Sequence, residues 1–154
     1  MDLLYEFVLS VKAMERVFDR LTNDAMRPLG ISAVQADAIY VLGLAGPLSL
    51  KELGELLIAE AGHPSRLVDR LVDLSLVARA HTAQDRRRVD LSLTPKGQAL
   101  HEQIVVVRES IFRLGRDLIG DLDLEPALII LRRFVKGTEF GELIQRRQTL
   151  TEPR

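Results

Sequence analysis

Apolar side chains at Leu3, Leu4, Phe7, Val8, Val11, Met14, Val17, Phe18 and Leu21 recur every three or four positions, a spacing that stacks them on one side of a helix. The pattern predicts a first helix from about residue 3 to 26. Arg27-Pro28-Leu29-Gly30 interrupts it, and Ser32 followed by Gln35 has the spacing of a capping box, opening a second helix over roughly 33 to 43. Gly46-Pro47 marks a turn. Ser49 and Glu52 then repeat the capping-box spacing, with Leu48 and Leu53 placed as a hydrophobic staple, so a short third helix is expected over about 50 to 58. A fourth helix starts between Ala61 and Ser65. It sets Leu67, Val68, Leu71, Val72 and Leu74 on one face and Arg66, Asp69, Arg70 and Asp73 on the other.

From Leu76 the period changes. Val89, Leu91 and Leu93 alternate with Asp90, Ser92 and Thr94, as in a strand with one buried face, and Val77 to His81 is its expected partner across the polar loop Thr82 to Arg88. Thr94-Pro95 reads as a cap followed by proline at the first helical position, opening a fifth helix from 95 to 119. In it Leu100, Ile104, Val107, Ile111, Leu114 and Leu118 form a heptad-like seam that needs a surface to pack on. A last helix is expected from about 124 to 147, weakest at Gly137 and Gly141, with Thr149 to Arg154 fraying. The order is four helices, a β-hairpin and two helices: a mainly α fold with a small β-hairpin wing (α+β), without internal repeats.

Length and composition narrow the picture. A chain of 154 residues, 47% of them hydrophobic, has the size of one domain. The absence of cysteine excludes disulfides, thiolate metal sites and thiol redox switches. Charges at Asp2, Glu6, Lys12, Glu15 and Arg16 argue against a signal peptide, and no uncharged 18-residue run is present, so a cytoplasmic protein without a membrane partner is expected. The net charge of -1 is unevenly spread: residues 1–62 carry -4, residues 63–97 carry +3 and residues 98–154 are neutral.

That basic stretch coincides with the third helix, fourth helix and hairpin, the order of a helix-turn-helix followed by a wing. In a helix-turn-helix the second helix enters the major groove by its N-terminal end, which makes Ser65 and Arg66 the candidates for base contacts and Arg70 for a phosphate. Asp85-Arg86-Arg87-Arg88 places three guanidinium groups at the hairpin tip, suited to phosphates or a minor groove. The competing reading is a solvated surface, since Asp69 and Asp73 stand three residues beyond Arg66 and Arg70 as in ordinary helix ion pairs. An enzyme is disfavoured. His63, His81 and His101 have no metal-ligand spacing and are expected at the surface or in caps, no glycine-rich phosphate loop occurs, and no serine has a nucleophile-elbow context. Neither a catalytic residue, a metal nor a cofactor is expected. A winged-helix module that binds protein instead of DNA is the second rival.

The segment Asp85 to Gly97, DRRRVDLSLTPKG, fits throughout the wing pattern D-x-R-x-x-x-L-x-L-T-x-x-G, and by it the chain resembles the MarR family of bacterial winged helix-turn-helix regulators. Ser65 to Val72 is similar to that family's recognition helix. The resemblance implies that Arg87 approaches the minor groove, Asp85 holds the wing in shape, and Ser65, Arg66 and Arg70 face the major groove. It also implies a winged helix-turn-helix lobe over 32–97 between dimerisation helices at 1–31 and 98–148, with Leu4, Val8, Ile111, Leu114, Leu118, Leu128 and Leu131 as contact candidates. A two-fold homodimer on a palindromic duplex operator follows, acting as a repressor released by a small aromatic or anionic ligand whose site the sequence does not name. Pro64 departs from the family, where an ordinary helix former stands. It removes a backbone donor and moves the recognition helix's start toward itself, which leaves His63 as a loop or cap residue able to meet a phosphate.

Overall fold

The computed structural model describes residues 2–59, 64–81 and 88–151. Helix α1 spans Leu3–Met26, capped by the Asp2 carboxylate, which accepts from Leu4 N at 3.2 Å. A single 3-10 turn, Arg27–Leu29, leads to α2, Ala33–Ala45. Both expected capping boxes form. Ser32 opens α2 by accepting from Gln35 N at 3.3 Å while its own N–H donates to Gln35 Oε1 at 2.9 Å. Ser49 and Glu52 make the same pair of bonds, at 3.2 and 2.7 Å, at the head of α3, Leu50–Gly54. Such caps satisfy helix N–H groups that have no partner within the helix.

Helix α3 ends earlier than residue 58. After Gly54 the chain tightens, with Leu56 N donating to Leu53 O and Leu57 N to Gly54 O, and these i→i+3 bonds bring both Leu56 and Leu57 into the core. Helix α4 spans Ser65–Asp73, and strands β2 (Val77–His81) and β3 (Val89–Leu93) follow as expected. A further strand, β1 (Leu48–Ser49), pairs antiparallel with β3, which is therefore central in the order β1-β3-β2. Leu91 of β3 is buried and Leu93 half-buried, whereas Val89, expected on the same inner face, is exposed at the rim.

Helix α5, Pro95–Ile119, carries its seam out of the core. Ile104 is buried, Leu100 and Val107 pack against the core, and Leu114 and Leu118 are exposed. His101 corrects the expectation of a surface or capping histidine. It is buried on the inner face of α5, its ring 5.9 Å from that of Tyr40 and seated where a side chain at Gly43 would otherwise stand.

The single last helix is also corrected to two, α6 (Glu125–Val135) and α7 (Glu139–Thr151). Gly137 takes φ +77°, a left-handed conformation costly for other residues, and Thr138 caps the new helix by accepting from Gly141 N at 3.4 Å. Thr149 to Thr151, expected to fray, remain helical because Leu150 packs against the core and the threonine hydroxyls donate to carbonyls one turn back. Among the described residues, no single helix is long and apolar enough to cross a membrane.

Candidate nucleic-acid interface

The candidate site begins with the packing of α4. Leu67, Val68 and Leu71 are buried, which stabilises the helix by roughly 2 kcal/mol per side chain and fixes which face is left outward. Pro64 occupies the cap position, its carbonyl accepting from Val68 N at 3.0 Å, and α4 begins at Ser65. The proline ring packs on Gly54 of α3, which holds the start of α4 against that helix. Pro64 is buried, whereas Ser65, in the first turn, lies exposed together with Arg66 and Arg70 on the outer face.

The surface-pair reading of those arginines requires Asp69 to serve Arg66. Instead Asp69 accepts from Arg79 of β2 at 2.6 Å, which ties the wing to the outer face of α4. Among the described residues neither Arg66 nor Arg70 forms an ion pair. Together with Ser32 and Gln35 at the head of α2, they line an open groove of about 610 Å³.

The base of the wing is held from both sides. Arg88 donates through Nε to Asp90 at 2.7 Å and through Nη2 to Glu52 at 2.9 Å, joining β3 to α3. The Glu52 carboxyl lies below the usual carboxylate range, chiefly because it accepts from the Ser49 N–H and hydroxyl, with Arg88 adding to the effect. Arg88 thus differs from the freely exposed arginines of α4 in having two carboxylate partners. His63, Asp85, Arg86 and Arg87 lie outside the described residues.

The end of the wing pattern also has a physical basis. Thr94 N donates to Leu76 O at 3.1 Å, and the Thr94 hydroxyl donates to Ser75 O at 2.7 Å while accepting from Gly97 N at 3.0 Å. Lys96 Nζ donates to Leu74 O at 2.9 Å, where a cation suits the carbonyl end of α4. Residue 97 passes so close to this junction that a Cβ would stand 2.0 Å from Leu76 O. Leu-Thr-x-x-Gly is the set of groups that locks α5 onto the end of α4. Ser75 itself takes φ +59° as the terminal residue of a Schellman-type ending, in which Leu76 N reaches back to Leu71 O at 2.9 Å.

A family model described as "Winged helix DNA-binding domain" matches residues 31–97, the span just described. The HTH-type transcriptional repressor MdtR of Bacillus subtilis is 25% identical over 141 residues, covering 92% of this chain and 91% of its own. A mutant MarR from E. coli, solved in complex with operator DNA, superposes with a TM-score of 0.67 at 28% identity, covering 88% of this chain and 99% of that one. The chain is thus similar to MarR-family regulators over most of its length. A probable transcriptional regulator from Pseudomonas aeruginosa shares the fold with a TM-score of 0.73 at 24% identity over 86% of this chain and 99% of that one.

One further cluster in this chain had no signal in the sequence. Asp37 of α2 accepts two bonds from Arg147 of α7, at 2.9 and 2.6 Å, and lies 3.5 Å from Arg108 of α5. The Arg108 guanidinium rests 4.0 Å from the centre of the Tyr40 ring, a cation–π contact, and 5.7 Å from that of Phe112. Tyr40, Arg108, Phe112 and Arg147 line a cavity of about 340 Å³ between α2, α5 and α7. The terminal helices show the opposite character: Leu3, Leu4, Leu118 and Leu122 are all more than half exposed, and Val8 and Leu128 are also open. Ile111 and Leu131 are half-buried within the chain, and Phe7 stacks on Phe134 with ring centres 6.0 Å apart.

Proposed function

We propose that the protein is a homodimeric transcriptional repressor that reads a palindromic operator with α4, grips flanking duplex DNA with the wing, and is released by a small aromatic or anionic ligand. The observation that carries the DNA reading is the outer face of α4. Arg66 and Arg70 are exposed, and the carboxylate three residues beyond Arg66 is bound instead to Arg79. Arg66 supplies the main base contact, with Ser65 beside it, and Arg70 a phosphate contact. Arg86 and Arg87, with Asp85 holding the loop and His63 preceding α4, keep the backbone-contact roles drawn from the sequence. Arg88 contributes by bracing the wing against α3. The operator complex of E. coli MarR supports DNA as the partner, and the MdtR description supports repression.

The homodimer follows from the apolar side chains left open at both chain ends. A monomer rarely leaves so many large apolar groups in water. Leu4, Val8, Leu114, Leu118 and Leu128, with the half-buried Ile111 and Leu131, form the proposed interface, and two-fold symmetry sets two recognition helices about 34 Å apart on one DNA face. The cavity at Tyr40, Arg108 and Phe112 suits the ligand, because it offers two aromatic rings beside two arginines that share one aspartate.

A salt titration of binding to genomic duplex fragments tests the reading. Affinity should fall steeply as salt rises, through counterion release. Arg70→Ala should weaken all fragments alike and reduce the salt slope by about one, whereas Arg66→Ala should also flatten sequence preference, by about 1 to 3 kcal/mol at one base position. A parent protein that retains no fragment at low salt sinks the proposal in favour of a protein-binding winged helix.

A further inference from the structure

Helix α7 turns back from the terminal half of the chain and is clamped to the reading lobe. The Arg147 guanidinium is fully committed there: Nη1 and Nη2 donate to the two Asp37 oxygens, and Nε donates to Leu56 O at 2.7 Å, just beyond α3. Arg146 pairs with Glu55. Leu143 is buried, and Leu150 packs on the core. Phe140 and Leu143 also line a cavity of about 680 Å³ shared with Gly54 and with Pro64, the residue that caps α4. Asp37 is therefore a node where α2, α5 and α7 meet, through Arg108 and Arg147.

The tether at the other end of α7 is slight. Only Lys136, Gly137 and Thr138 separate it from α6, with Gly137 in the left-handed conformation. Apart from α6, the anchors just named belong to the lobe and to the segment after α3. The Arg146 pair is half-exposed, and such pairs contribute little by themselves. An element held by one buried leucine, one partly buried leucine and the bonds of a single partly buried arginine, with one half-exposed ion pair beside them, belongs to the low-stability end of a fold, where local release precedes global unfolding.

We propose that α7 is an intramolecular strap that fixes the attitude of the reading lobe relative to α5, and that undocking it lowers affinity for DNA. The affinity half of this proposal rests on the DNA-binding reading above. The reason is preorganisation. With α7 docked, the lobe is already ordered when it meets the duplex; with α7 free, the ordering cost falls on the binding step.

Because the chain has no cysteine, the docking can be trapped cleanly. The pair Glu55→Cys and Arg146→Cys, treated with a short bismaleimide, should give a cross-link within one chain that migrates as a single chain under denaturing conditions. A link between two chains, or none, overturns the docking. Arg147→Ala should bind operator fragments about 10-fold more weakly with an unchanged salt slope, since Arg147 neutralises no phosphate. Arg147→Lys, which keeps the charge but loses the fork, should fall between. Bridging residues 55 and 146 in the Arg147→Ala background should restore most of the affinity, a rescue that also excludes misfolding as the cause. Equal affinity of parent and Arg147→Ala overturns the control of binding. A parent that binds no DNA removes the affinity half along with the DNA reading, while the cross-link still decides whether α7 docks.

Discussion

The reading lobe and the terminal helices of this chain both carry periodic apolar stripes, yet they end in opposite states. In the lobe, the apolar faces of α2, α3, α4 and β3 converge on one core, and the helix starts at Ser32, Ser49 and Thr94 are capped. In α1, the outer part of α5 and α6, the same periodic stripe faces outward. Helix α5 passes through both environments, buried at Ile104 and open at Leu118, so the difference lies in what each stretch has to pack against and not in helix propensity. A finished core is specified by contacts within the chain; an open stripe is specified by a contact still to be made.

The largest test of that contrast removes the second contact. Leu114→Glu with Leu118→Glu should leave the fold of the single chain unchanged, because both positions are exposed there. Self-association should weaken by at least about 100-fold, since two carboxylates would be buried unpaired in an apolar interface. Sedimentation should then report single chains of 17.3 kDa where the parent sediments as a dimer, with operator affinity reduced in step. A parent that is itself monomeric at micromolar concentration breaks the comparison at its root.

Two glycines of α5 provide a sharper version. Gly97 lies against the lobe, where a Cβ would meet a backbone carbonyl that cannot move without dragging the α4–β2 junction with it. Gly97→Ala should cost about 3 kcal/mol in a urea melt, the upper end of ordinary overpacking. Gly115 has open space around its Cβ position. Gly115→Ala should stabilise the helix by up to about 1 kcal/mol, the propensity difference alone. A loss at Gly115 as large as that at Gly97 would mean that the partner's surface lies directly on it.

How much of this was readable beforehand follows the same division. Capping boxes, the hairpin strands and the Thr94-Pro95 helix start depend on local spacing, and all were visible as such. So was the outward placement of Arg66 and Arg70, a consequence of the Leu67–Val68–Leu71 stripe. Strand β1 was not, because two residues have no period and Leu48 becomes a strand only by meeting Leu91. The Arg88–Glu52 brace joins residues 36 apart and the Arg147–Asp37 clamp residues 110 apart, so neither leaves a local trace. The break at Gly137 was marked as a weak point, but only the cap at Thr138 turns a weak point into two helices.

His101 carries the smallest and most diagnostic effect. It sits on the buried stretch of α5, one turn before Ile104, and its two ring nitrogens have no hydrogen-bond partner among the described residues. Burial pushes its pKa below the ordinary histidine value, and the opposing pull of Glu102 does not cancel this. The unfolded chain therefore takes up a proton near pH 6.5 that the folded chain resists. Stability should be full above that pH and decline as pH falls through about 6.5 toward the folded-state pKa, with a slope of at most about 1.4 kcal/mol per pH unit. His101→Leu should remove this component, so the mutant should gain on the parent between about pH 7.5 and 5 in urea melts. Parallel stability curves for mutant and parent would show that the imidazole is not held neutral by the core.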